Sequence, residues 1–242
     1  MLNYPMVVDG SKNGQASTTA VLCSGGLDSA VLLAHETRRG EVQPVFIASG
    51  LAWEAVERDV LGRLLGTSTF STGVRPLVEL SSPVRDVYPA THWALEGTPP
   101  AYDTPDRDFY LVGRNILLLS KVATFCAIHG IGRVALGPLA GNPFPDATLE
   151  FFTAMEAVLS AGLAHQLKIL APFATLHKKD VIELGVSLGV PLEFTLSCMK
   201  PLDRKHCGRC SKCRERLQAF EAVGLEDTAA YAFKPLEVTT DR

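Results

Sequence analysis

From Thr18 to Gly189 the chain alternates short apolar, β-branched runs with segments of helical periodicity, and this alternation narrows the folds open to it more than any other feature. "TTAVLC", "VQPVFIAS", "PLVEL", "RVALGPLA" and "LKILAPF" read as buried strands bounded by turn formers. "LDSAVLLAHETRRG", "WEAVERDVLGRLLG", "GRNILLLSKVATFCAIHG" and "ATLEFFTAMEAVLSAGLAH" separate them as helices, and "KKDVIELGVSLG" follows as a fifth helix that Gly189 and Pro191 stop. A helix between successive strands carries the chain back across the sheet, so the strands pair in parallel through right-handed crossovers. The expected fold class is therefore α/β, with a doubly wound, mainly parallel sheet. In the fourth helix Phe151, Phe152, Met155, Val158, Leu159 and Leu163 share one face and are expected to be core.

Length and charge bound the rest. The 242 residues suffice for one sizeable core, and the expected division is an extension over 1–17, an α/β domain over 18–195 and a metal-binding C-terminal segment of the same domain over 196–242. Lys plus Arg number 23 against 26 Asp plus Glu, and a net charge of −3 offers no global attraction to nucleic acid or an anionic membrane. Any anionic ligand must be held by a local site. No basic start followed by an apolar run opens the chain, and "NILLLSKVATFCAIHGIG" is broken by charge, so the reading is a soluble cytoplasmic protein. A Pro-rich insertion from Ser81 to about Asp108, containing "GTPPAYDTPDRD", reads as a lid or binding loop, with a disordered excursion as the alternative.

Two stretches carry chemistry. "SGGLDS" follows the first strand and opens the first helix, at the carboxyl edge where open parallel sheets bind ligands. Gly25 and Gly26 allow a tight turn and close backbone approach, the helix offers free amide hydrogens to an anion, and Ser24 and Ser29 add hydroxyls. Asp28 would repel a bare phosphate but suits Mg²⁺ bridging one. Neither GxxxxGK(S/T) nor GxGxxG is present, and the bland alternative is a helix N-cap with an easy turn. Cys198, Cys207, Cys210 and Cys213 crowd into "SCMKPLDRKHCGRCSKC", a spacing that lets four thiolates close a tetrahedral site of structural Zn²⁺ type. His206 is a substitute ligand, and an iron–sulfur cluster or redox pair the rival. Lys205, Arg209, Lys212, Arg214 and Arg216 around it read as a solvated face.

"SGGLDS" after a strand resembles the PP-loop of the ATP pyrophosphatases, a Rossmann-like fold. With "YLVGRNILLLS", the lysine segment "PFATLHKKDVIELGVSLGVP" and the four-cysteine tail, the chain resembles the 7-cyano-7-deazaguanine synthase family from about Thr18 to Phe220. The resemblance implies an ATP-dependent ligase that adenylates 7-carboxy-7-deazaguanine, forms an amide with ammonia and dehydrates it to the nitrile, in queuosine-type biosynthesis. It implies ATP, Mg²⁺ and Zn²⁺ as cofactors, with ATP on Leu22, Cys23, Ser24, Gly25, Gly26, Leu27, Asp28, Ser29, Ala30, Val31 and Leu32 and its adenine near the end of the second strand, Val45 to Ser49. Lys178, Arg114 and Asp28 take catalytic roles. Lys178 would neutralise charge on the leaving pyrophosphate, and Arg114 and Asn115, with Asp146 and Glu150 in the recognition loop, would meet the substrate. A surface lysine, and a helix N-cap at Asp146, are the bland alternatives.

Two departures from the family pattern stand out. The aromatic, glutamine and histidine cluster expected after the second strand is replaced by "IASGLAWEAVERDV", and Thr148 stands where an arginine is usual. They motivate a second reading, an adenylating enzyme that joins a deazapurine or other acid to a different amine, including a protein terminus. A non-catalytic, zinc-stabilised ATP-binding scaffold is a third. A homodimer is left open, and no direct contact with nucleic acid or membrane is expected.

Overall fold

The computed structural model describes residues 18–235. The extension expected over 1–17 lies outside them. Five strands, β1 (Thr19–Leu22), β2 (Val42–Ala48), β3 (Val78–Ser81), β4 (Arg133–Ala135) and β5 (Lys168–Leu170), form one sheet in the order β3-β2-β1-β4-β5. Every pairing is parallel. The helices are α1 (Leu27–Thr37), α2 (Glu54–Leu65), α3 (Trp93–Glu96), α4 (Arg114–His129), α5 (Leu149–Leu163), α6 (Lys178–Ser187) and α7 (Ser211–Ala222). The doubly wound parallel sheet is the one the alternation dictates.

Successive side chains of a strand point to opposite faces, and here they feed two cores. Val21, Phe46 and Ala135 pack with α1, α2, α6 and α7, while Ala20, Val45, Val134 and Ile169 pack with α4 and α5. α1 is apolar nearly all round, with Leu27 and Ala30 through Ala34 buried, because it lies between the sheet and α6. Gly185 permits that closeness, since a Cβ there would stand 2.8 Å from Val31 Cγ2. The order of the strands reverses between β1 and β4, which opens a crevice at their carboxyl ends.

Two expectations are corrected. On α5 the expected core face packs on the sheet through Phe151, Phe152, Met155, Leu159 and Leu163, and only Val158 departs from it, at 66% exposed. Arg216 lies on no solvated face. It is fully buried and grips Asp227 through Nε (2.7 Å) and Nη2 (3.0 Å), and it donates to Thr195 Oγ1 (2.7 Å) and the Leu192 carbonyl (2.9 Å). α7 is thereby stapled to the segment before the cysteines and to the tail after it. The insertion is ordered and packed, which removes the disordered alternative. Its α3 is capped by His92, and Val84, Ala94, Leu95 and Phe109 bury against Trp53, Met199 and the cysteines.

Candidate active site

A cleft of about 710 Å³ occupies the crevice between β1 and β4. The loop after β1 forms one wall. Gly25 has φ +75°, and a Cβ there would meet the Glu57 carbonyl at 2.7 Å, so the turn requires glycine on both counts. The two serines hold the loop: Ser29 Oγ donates to the Gly26 carbonyl (2.9 Å), and Ser24 Oγ accepts from Gly26 N–H (3.3 Å). Leu22, Cys23, Ser24, Gly26, Leu27, Asp28 and Ser29 line the cleft. Ala30, Val31 and Leu32, expected with them, are buried against the sheet and α6 as core. Burial pushes the Cys23 thiol up to about 12, so it is no thiolate at neutral pH.

Lys178, the first residue of α6, reaches the same wall. A capping box of His177 and Asp180 fixes the start of that helix. Lys178 Nζ lies 2.5 Å from Asp28 Oδ2 and 3.4 Å from Glu215 Oε1, and Lys212 Nζ lies 2.5 Å from Glu215 Oε2. Burial disfavours the Lys178 ammonium, but Asp28 and Glu215 outweigh it and hold its pKa above the ordinary value. Burial likewise opposes the Glu215 carboxylate, and Lys178 and Lys212 override it, bringing its pKa down to about 2. The result is an alternating chain of two acids and two lysines at the phosphate end. Lys212 and Glu215 both line the cleft, so Lys212, expected on a solvated face, is corrected to the site, while Glu215 was hidden in the sequence by the cysteines around it. Asp28 Oδ1 is buried without a partner among the described residues, a vacancy in hydrogen bonding that suits a cation.

The opposite wall is aromatic and acidic. Gly113, with φ +75°, delivers Arg114 and Asn115 to the start of α4. Asp146 crosses from the loop after β4 to cap that helix: its Oδ2 accepts from Asn115 N–H (3.0 Å), and Asn115 Nδ2 donates to the Asp146 carbonyl (2.8 Å). The N-cap expected of Asp146 is thus real but serves a distant helix, and its own α5 is capped by Thr148, which accepts from Phe151 N–H. Burial raises the Asp146 carboxyl above its usual range, against those hydrogen bonds and Arg114. Arg114, Asn115 and Asp146 all line the cleft, whereas Glu150 is exposed and does not. Arg114 Nε is buried without a partner among the described residues. Trp53 stacks on Trp93 (5.8 Å between centroids) and Tyr110 on Phe144 (5.2 Å), all four facing the cleft. Where the polar cluster was absent from the sequence, Glu54 accepts from Ser49 and Gly50 N–H at 2.7–2.9 Å and ties down the loop after β2. Val45, Phe46 and Ile47 border the cleft beside it.

The four cysteines converge as expected. All are buried, and their sulfurs lie within 4.8 Å of one another. Cys207–Cys213 and Cys198–Cys210 stand 3.9 Å apart and Cys210–Cys213 3.5 Å, close to the edge of about 3.8 Å that a tetrahedron with metal–sulfur bonds of about 2.3 Å requires. Backbone N–H groups of Lys200, Cys207 and Arg209 point at the sulfurs, as at thiolate sites. Hydrogen bonds among the sulfurs hold Cys207 low and push Cys198 and Cys213 up. His206 stays apart from the cluster. Its Nε2 accepts from Ser197 N–H (3.0 Å), and burial takes its pKa down to about 4, leaving it neutral.

A parallel sheet with a glycine–hydroxyl turn at the carboxyl end of β1 defines a PP-loop α/β protein. Residues 18–224 match the family described as Queuosine biosynthesis protein QueC, and the chain belongs to that family. Among its relatives are proteins named 7-cyano-7-deazaguanine synthase. That of Methanopyrus kandleri is 31% identical over 89% of this chain and 99% of its own length, and that of Thermoplasma volcanium 32% identical over 89% and 91%. A solved U34-tRNA thiolase NcsA from Methanococcus maripaludis with its 4Fe–4S cluster has a TM-score of 0.47 and 12% identity, over 93% of this chain and 80% of that chain. Among the described residues no helix is long and apolar enough to cross a membrane.

Proposed function

We propose that the protein is an ATP-dependent ligase that converts 7-carboxy-7-deazaguanine and ammonia to 7-cyano-7-deazaguanine in queuosine-type biosynthesis. The observation that carries this reading is one cleft that joins Asp28 after the PP-loop and Lys178 of α6 to Arg114 and Asn115 of α4. The substrate carboxylate attacks the α-phosphorus of ATP, pyrophosphate leaves, and ammonia then displaces AMP to give the amide. A second ATP adenylates the amide oxygen with release of pyrophosphate; the two N–H protons are then lost and the C–O bond breaks with its electrons leaving on AMP, which yields the nitrile. Lys178 meets the negative charge that grows on the leaving pyrophosphate, and Lys212 reinforces it through Glu215. The planar fork of Arg114, with Nε uncommitted, suits the carboxylate, and Asp146 beside Asn115 suits the N–H edge of a guanine-like ring. Stacked Trp53 and Trp93 supply a flat apolar wall for that ring. Asp28 would hold Mg²⁺, which when bound draws charge off the phosphates. Cys198, Cys207, Cys210 and Cys213 would hold structural Zn²⁺ and anchor α7, with Lys212 and Glu215, at the phosphate end.

A second reading keeps the activation and changes the amine. It is favoured by the replacement of polar groups after β2 with Glu54, engaged in the backbone, and Trp53, engaged with Trp93. One assay tests both: protein, ATP, Mg²⁺, ammonium and 7-carboxy-7-deazaguanine, following AMP, pyrophosphate and the deazapurine masses. A nitrile product supports the synthase reading. AMP and pyrophosphate with an adenylated acid but no nitrile would replace it with the second, and no ATP cleavage would overturn both.

A further inference from the structure

One titratable group in the cleft has no role in the chemistry above. Glu57 sits one turn into α2 and lines the cleft together with the phosphate loop and Arg114. The turn of α2 that carries it abuts the phosphate loop, its carbonyl 2.7 Å from where a Cβ on Gly25 would stand. Arg114 of α4, which lines the same cleft, acts on its carboxyl electrostatically. The remaining groups acting on it are Glu54 on its own helix and the Trp53 indole N–H. We propose that Glu57 is the proton acceptor for the amine that attacks the activated acyl group. The proposal rests on the adenylating reading above. Adenylation itself needs no base, because the acid attacks as a carboxylate, whereas amide formation must discharge a proton from nitrogen. The nitrogen lone pair forms the C–N bond, one N–H proton passes to the Glu57 carboxylate, and the acyl–oxygen bond breaks with both electrons leaving on AMP. The acquired proton returns to water before the next turnover. Burial, aided by Glu54 and opposed by Arg114 and Trp53, raises the carboxyl to about 7, which matches a base that must both take and release a proton near neutrality.

The test separates the two half-reactions in the full-length protein and its E57Q variant. ATP–pyrophosphate exchange with 7-carboxy-7-deazaguanine reads adenylation; amide formation is followed from below to above pH 7, with rates referred to the free-base amine concentration. A base works only when ionised, so the wild-type amide rate should fall as pH drops through about 7. E57Q should keep exchange within a few-fold, lose about 10²–10⁴-fold in amide formation and lose that limb of the profile. Equal loss in both half-reactions, or an unchanged limb in E57Q, overturns the proposal. Should E57Q fail to fold, the wild-type profile decides alone, and a rate flat through pH 7 overturns it. Absence of exchange in the wild type overturns the adenylating reading, and the proposal with it, by a different signature.

Discussion

The two ends of the cleft are built on different principles. At the phosphate end, charged groups alternate in a chain from Asp28 through Lys178 and Glu215 to Lys212, and each is held by a helix start or by the cysteine segment. At the acceptor end, aromatic pairs form the wall and the polar groups are committed to backbone, as Glu54 is to Ser49 and Gly50 and Asp146 to Asn115. The first arrangement fits a charge that must be met wherever the nucleotide is the same. The second leaves Arg114 Nε as a buried donor without a partner among the described residues. On the proposed function, activation and acceptor choice would be separable in this chain.

That separation can be broken most sharply at Lys178. Lys178→Ala should lower ATP–pyrophosphate exchange by about 10²–10³-fold, the usual cost of one preorganised charge on a developing anion, with the acceptor KM little changed. Comparable effects on both would merge the two ends. Gly185→Ala forces a methyl toward Val31 beneath the α1–α6 contact that sets Lys178 against Asp28, and should destabilise by about 1–3 kcal/mol in chemical denaturation. Glu215 provides a pH test. Its folded pKa of about 2 lies below the ordinary 4.5, so its contribution is present above about 4.5 and is lost as pH falls toward 2. Glu215→Gln should therefore flatten the loss of thermal stability over that window, and an unchanged acid profile would remove Glu215 from the charge chain. At the acceptor end, Thr148→Ala removes the cap of α5 and should cost about 1 kcal/mol by the same denaturation, without touching exchange. Smallest is Trp93→Ala, expected to raise the acceptor KM a few-fold while the ATP KM holds, since an aromatic stack contributes about 0.5–1.5 kcal/mol. An altered ATP KM would show that the wall serves both ends.

The parallel sheet, the turn at Gly25 and Gly26 and the convergence of Cys198, Cys207, Cys210 and Cys213 were legible in the chain, because each depends on local spacing: a period of two or of 3.6, a glycine pair after a strand, thiolates two residues apart. α7 was not legible, since its apolar positions are few and its cysteines spoke for a metal instead of a helix. Nor was the fate of single charges. Arg216 and Glu215 lie one residue apart on α7, yet one is sealed with Asp227 under the tail and the other faces Lys178 across 37 positions of sequence. The direction a helix face takes is decided by what packs on it, and that partner is remote in the chain. So the sequence by itself determined the strand order's raw material, the phosphate loop and the metal ligands. Only the tertiary structure decided that Asp146 caps α4, that Glu57 lines the cleft beside the phosphate loop and that Lys212 and Glu215 complete its charge, because each depends on distances between segments that nothing local specifies.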